Sequence, residues 1–212
     1  MGVKVEEKAQ PVAAASSKTP RTARGERTLR KILDAAREEF GEHGFAESSI
    51  VGITQRAGVA LGTFYTYFES KDALFQALVR DMSTQVRDTV GPVLGAGSDA
   101  LDSERRALAA FLEFARQHRD IYRIIDESEF VDPTAYREHY ETTATRIAAR
   151  LLAARDRGEI GRSFSDDELG IVAWGMMGAN VFLGLRFAVW DGVDPERVAE
   201  AMSRVWRTGF TA

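Results

Sequence analysis

Apolar residues recur every three or four positions along most of this chain, the spacing of helices that bury one face. Leu29, Ile32, Leu33, Ala36 and Phe40 predict a first helix that Gly41 and Gly44 end, with Phe45 returning to the core. Ile50, Ile53 and Ala57 predict a short second helix, capped by Ser48 or Ser49. Gly58 follows, then a third helix anchored inward by Phe64 and Phe68. Ser70 caps a fourth, with Asp72 in its first turn and Leu74, Phe75, Leu78, Met82 and Val86 on its buried face, closed by Gly91-Pro92.

Past the Gly-rich stretch 91–99 the same period continues. Leu108, Phe111, Leu112 and Ala115 mark one helix, and Ile121, Ile124 and Ile125 a short one broken near Pro133. A long helix from Thr134 to about Arg157 carries Tyr136, Tyr140, Ile147, Leu151 and Leu152. The next is capped by Ser165 or Asp166 and runs to about Trp190; a last one starts at Pro195 with Val198, Met202, Val205 and Trp206. No segment alternates as a strand does, so the expected fold is all-α. Three units are expected: a disordered basic tail over 1–24, a three-helix unit over 25–72, and a larger helical unit over 73–212.

Charge is uneven. Residues 1–80 carry 12 Lys/Arg against 10 Asp/Glu, and 81–212 carry 16 against 22, together the net −4. A nucleic-acid reader needs local rather than global positive charge, so the balance permits one at the N-terminal end. Arg21, Arg24, Arg27, Arg30 and Lys31 lead into the first helix, either as a solvated tail or as an arm adding phosphate or minor-groove contacts. Cysteine is absent, which removes disulfides and thiolate chemistry and fits a cytoplasmic protein. No secretory segment opens the chain. His43, His118 and His139 lack metal-site spacing, and no catalytic triad, phosphate loop or HExxH occurs. Neither a metal, a cofactor nor an enzyme is expected.

The third helix is the unusual one. With Phe64 and Phe68 turned inward, Leu61, Gly62, Thr63, Tyr65 and Tyr67 remain mainly for the other side. Small, hydroxyl and tyrosine groups suit a helix pressed into a DNA major groove, where Gly allows close approach and hydroxyls bond phosphates. Gly58 supplies the left-handed residue of a helix-turn-helix. Plain half-buried packing is the alternative for the two tyrosines, and a solvated surface for Lys71.

Gly58-Val59-x-x-Gly62-Thr63-Phe64-Tyr65-x-Tyr67-Phe68-x-Ser70-Lys71-x-x-Leu74 resembles the DNA-binding signature of the TetR/AcrR family of one-component bacterial regulators, with Ile32-Leu33-Asp34-Ala35-Ala36 and Gly44-Phe45 upstream. The resemblance spans about residues 28–80. It implies a homodimer on a near-palindromic double-stranded operator, a ligand pocket in each larger domain, and release of DNA when a small molecule binds. Carried over by position, Leu61, Gly62 and Thr63 face bases, and Tyr65, Tyr67 and Lys71 hold phosphates with Thr28 and Ser49. Two departures stand out: Ala60 replaces the frequent serine cap, worth ~1 kcal/mol, and Leu61 replaces a polar or basic residue, leaving contact with a thymine methyl.

Ile171–Leu185 is nearly all apolar, with Asn180 its strong polar group. Such a helix is a membrane span, a buried core helix or half of an interface. Its length falls short of the ~20 residues a bilayer needs. A twofold four-helix interface with the last helix, and no membrane, is the expectation. The aromatic set Phe111, Phe114, Tyr122, Phe130, Tyr136, Tyr140, Trp174 and Phe182, with Met176, Met177 and Asn180, is the candidate pocket lining for a small apolar effector, each aromatic also readable as plain core. Asn180 needs a partner, from a ligand or a neighbouring helix. Arg119, Arg123 and Arg186 are candidates for an anionic head group, and Asp126–Pro133 is similar to family members that respond to fatty acyl or acyl-CoA ligands. The contrasting expectation is a helical lipid carrier or enzyme that does not act on DNA.

Overall fold

A computed structural model describes residue 20, residues 22–161 and residues 163–210, and among these the secondary structure is helical with no strand. The tail expected over 1–24 lies largely outside the described residues. The first helix, α1, spans Ala23–Glu47 and is capped by Thr22, whose hydroxyl accepts from the Gly25 amide. It runs straight through Gly41, against expectation, and kinks at Gly44 (φ 79°), a left-handed conformation glycine adopts without a Cβ clash. α2 (Ile50–Ala57) and α3 (Leu61–Tyr67) form a compact pair, and α4 (Lys71–Leu94) leads away from them. Pro92 sits inside the last turn of α4 and does not end it at Gly91. At that position the ring removes one backbone donor without breaking the preceding turns.

The larger unit contains α5 (Ala100–Gln117), α6 (Asp120–Val131), α7 (Pro133–Arg157), α8 (Asp166–Leu183) and α9 (Pro195–Phe210). Ser165 and Glu168 close a reciprocal capping box at the start of α8. A π-helical stretch, Gly184–Trp190, continues α8. The chain from Asp166 to Trp190 is long and apolar enough to cross a membrane by length and composition, and only 28% of its most apolar window is covered by the rest of the chain.

Two cores form. The first joins Ile32 and Phe40 of α1, Ile53, Phe64, Phe68, and Leu74, Phe75 and Leu78 of α4. It does not stop at the three-helix unit: Phe114 of α5 and Ile121, Ile124 and Ile125 of α6 pack into it. The second joins Leu108 and Leu112, Ile147 and Leu151, Leu169, Ala173, Met176, Trp206 and Phe210. Glu104 is buried in its flank and forms two hydrogen bonds with Arg150, at 2.5 and 3.1 Å.

Phe64 is fully buried in the first core and anchors α3 there. Phe64→Ala is expected to destabilise the chain by ~3–5 kcal/mol, a large share of a typical domain's stability, read as a lowered urea midpoint. An unchanged midpoint would show that α3 is not anchored through this ring.

Candidate functional site

The α2–α3 unit is built by local chemistry. Ser49 caps α2, its hydroxyl accepting from the Gly52 amide at 2.9 Å, so Ser49 rather than Ser48 is the cap. Ser48 is buried and donates to the carbonyls of Gly44 and Glu39. Gly58 is left-handed (φ 64°, ψ 39°), its amide reaching Gln55 O while that of Val59 reaches Thr54 O. α3 starts at Ala60 with no side-chain cap. It is pinned by Phe64 and Phe68, whose ring centroids lie 5.7 Å apart.

This pinning decides what α3 shows. Helical residues turn by about 100° each, so Gly62 and Thr66 lie opposite Phe64. Leu61 (46% exposed), Gly62, Tyr65 (53% exposed) and Thr66 form the open face. A Cβ at Gly62 would meet no protein atom within 4 Å, so that side of the helix is clear for a close approach. Thr63 is half-buried, one step round from Phe64. Thr66 is the residue that sequence reasoning missed, and the two-residue offset from Phe64 was the available signal.

The remaining expected contacts divide. Ser49 is exposed at the start of α2, and Thr28 is half-buried, donating to Arg24 O. Arg24 and Arg27 are exposed, whereas Arg30 is held by Asp34 and Asp81 at 2.8–2.9 Å. The Tyr67 hydroxyl donates to Gly25 O, tying α3 to the start of α1. Lys71 departs most from expectation. Its ammonium donates to Phe45 O at 2.6 Å, Ser48 O at 2.9 Å and Ala46 O at 3.3 Å, and lies 4.4 Å from the Phe45 ring centroid. An ammonium has three N–H groups, so here it closes the α1–α2 corner instead of facing outward.

The second candidate site is a cavity of about 440 Å³ walled by α4, α5, α6, α7 and α8. Five expected residues line it: Phe111, Tyr122, Tyr140, Met177 and Asn180. The others do not. Phe114 and Tyr136 pack in the first core. Phe130 is 83% exposed at the end of α6, and Trp174 and Phe182 stand on the outer face of α8, 47% and 71% exposed. Met176 is buried in the second core. A helix apolar on every side carries no phase signal, so the inward face of α8 could not be read from sequence.

The proposed head-group arginines also fall elsewhere. Arg123 donates to Gly41 O and Glu42 O, and Arg186 pairs with Asp191 at 2.6 Å. Arg119 is exposed and outside the lining. Inside the cavity, the Tyr122 hydroxyl donates to Val181 O at 2.8 Å, and burial pushes its pKa up. His139 lies 2.8 Å from Ser83 Oγ and is held below the usual histidine range by burial. Asn180 Oδ1 is buried without a hydrogen-bond partner among the described residues.

α6 connects the two places. Ile121, Tyr122, Ile125 and Asp126 face the cavity, while Arg123 and Glu127 hold the bent end of α1. Glu127 accepts from the Phe45 amide at 2.6 Å.

Residues 32–78 match the family model described as bacterial regulatory proteins, tetR family. Among curated relatives, the uncharacterized HTH-type transcriptional regulator YdgC of Bacillus subtilis is 27% identical over 84% of this chain and 89% of its own length. The HTH-type transcriptional repressor Rv1474c of Mycobacterium tuberculosis is 28% identical over 83% and 89%. Among solved structures, FadR from Bacillus subtilis, crystallised in complex with stearoyl-CoA, superposes with a TM-score of 0.74 at 17% identity, over 85% of this chain and 98% of that one.

Two outcomes follow from the geometry. Lys71→Met is expected to lower stability by ~1–3 kcal/mol, because three carbonyls lose a charged donor; thermal melting in the absence of DNA reads it. An unshifted melt would return Lys71 to a purely surface role. His139 has a folded pKa below its unfolded value of about 6.5, so the unfolded chain takes up the proton first and stability falls as pH drops through that value. His139→Gln should flatten that acid limb, and an unchanged slope in urea titrations at pH 7 and pH 5.5 would count against it.

Proposed function

The chain belongs to the TetR family of bacterial transcriptional regulators, and on that premise we propose that it is a homodimeric repressor released from a near-palindromic operator by a small apolar effector. The observation that carries this reading is the open face of α3, with Leu61, Gly62 and Tyr65 outward on a helix pinned from behind by Phe64 and Phe68. In the proposal this face enters the major groove. Leu61 meets a thymine methyl, Gly62 and Thr63 approach base edges, and Tyr65, Thr28 and Ser49 bond phosphates. Tyr67 and Lys71 act from behind as positioning residues.

Dimerisation is proposed through the outer faces of α8 and α9. Ile171, Trp174, Phe182 and Val205 are large, apolar and exposed there, a patch that a monomer in water does not retain without use. Two such helix pairs form a twofold four-helix contact. This use accounts for the apolarity of the Asp166–Trp190 segment without a membrane, and a cytoplasmic location is part of the same proposal.

The effector is proposed to occupy the cavity, and a fatty acyl or acyl-CoA compound suits its apolar wall. The shared fold with a regulator solved with stearoyl-CoA supports that chemistry. α4 and α6 both contribute to the cavity wall and both grip the α1–α2 corner, α4 through Lys71 and α6 through Arg123 and Glu127. Ligand that displaces either changes the separation of the two α3 helices from the one-turn spacing of adjacent major grooves.

An electrophoretic shift on the DNA flanking the chain's own gene tests the reading. Binding is expected to fall steeply with salt, log K changing by about −0.9 per phosphate contact against log salt. Tyr65→Ala should weaken it by about 1.5 kcal/mol, roughly tenfold, on every operator variant alike. Equal affinity for operator and unrelated DNA at physiological salt would defeat the proposal, leaving a lipid-binding protein that does not act on DNA.

A further inference from the structure

The cavity carries its charge unevenly along its length. Ser83 of α4 meets His139 of α7 at 2.8 Å. After the connection at 95–99, α5 packs back along α4, so Glu104 near its start lies level with the end of α4, where Leu94 lines the same cavity. Arg150 of α7 bonds Glu104. α7 therefore runs parallel to α4, from His139 beside Ser83 to Arg150 near Leu94. At about 1.5 Å per residue, Arg87 and Arg146, four and seven residues beyond that crossing, stand within one helical turn of each other along the axis.

Arg146 has no ion pair or hydrogen bond among the described residues, although it lines the cavity. Arg87 pairs with its chain neighbour Asp88, an exposed contact of the kind that contributes little. This end of the cavity thus holds Arg87, Arg146 and Arg150 against the one carboxylate of Glu104. The end nearer α2 and α3 holds Arg80 with Asp126 and Glu138. Between them lie Ser83 and His139, and Phe111, Ile147 and Met177 supply apolar wall in the same cavity.

We infer that the cavity takes an amphipathic anion, its apolar body against Phe111, Ile147 and Met177 and its carboxylate or phosphate head on Arg146 and Arg87. This deepens the effector reading above and rests on it. The fork of a guanidinium matches either oxyanion in two parallel hydrogen bonds, so the shared feature is the charged head. Because Arg87 belongs to α4, the head joins α7 directly to the helix that begins behind α3.

Isothermal titration of the full chain with dodecanoate, dodecyl phosphate, dodecanol and dodecyltrimethylammonium tests this. Both anions should bind about tenfold or more tightly than the alcohol, and the ammonium most weakly. The preference between the two anions identifies which head the site is built for. Arg146→Gln should cost the preferred anion about tenfold and leave dodecanol within about twofold, while Arg119→Gln changes neither. Absence of binding, equal affinity for dodecanol, tighter binding of the ammonium, or an unaffected Arg146→Gln would each overturn the inference. Operator binding measured on the same samples separates the two readings. If it is intact, the regulator stands whatever the cavity holds; if sequence preference is missing, the regulator reading fails on its own.

Discussion

Backbone groups freed by the bend at Gly44 must find partners, and the way they do so holds the two halves of this protein together. The last carbonyls of a helix have no successors to bond, and the bend exposes the Phe45 amide as well. Lys71 from α4 takes the carbonyls of Phe45, Ala46 and Ser48. Arg123 from α6 takes those of Gly41 and Glu42, and Glu127 takes the amide. A corner satisfied by side chains from two other helices cannot move independently of them. Phe64 and Phe68 of α3 are buried in the same core as residues of α1, α4 and α6, the helices that meet at this corner.

The hydrophobic cores reinforce the same linkage. Phe114, Ile121, Ile124 and Ile125 belong by sequence to the larger unit but are buried with Ile32, Phe40 and Phe75. A core shared across the boundary means that shifting α6 disturbs apolar contacts on both sides. Close-packed interiors transmit such shifts because they resist continuous deformation. In the proposed mechanism a modest difference in a ligand's contacts with α4 or α6 changes what α3 presents, on the scale of ~1–3 kcal/mol typical of coupled sites.

Much of the N-terminal unit was legible beforehand because its signals are local. Gly58, Phe64 and Phe68 fix a turn and an inward face within a dozen residues, and the structure places them as the periodicity required. The rest of that unit is less legible: Thr66, not the half-buried Thr63, lies opposite Phe64, and the carbonyls that Lys71 serves lie more than 20 residues upstream, beyond the reach of periodicity. The cavity was half legible. Phe111, Tyr122, Tyr140, Met177 and Asn180 reach it, but Phe130, Trp174 and Phe182 point to the surface, and the arginines at its wall are Arg80, Arg87, Arg146 and Arg150 rather than Arg119, Arg123 or Arg186.

What the amino-acid order determined by itself is therefore the helices, their caps and the inward stripe of each amphipathic one, since these depend on residues three or four apart. Tertiary packing alone decided which way α8 faces, which arginines surround the cavity and which side chains complete the α1–α2 corner. Those outcomes depend on groups brought together from distant parts of the chain, and periodicity within one helix holds no record of its neighbours.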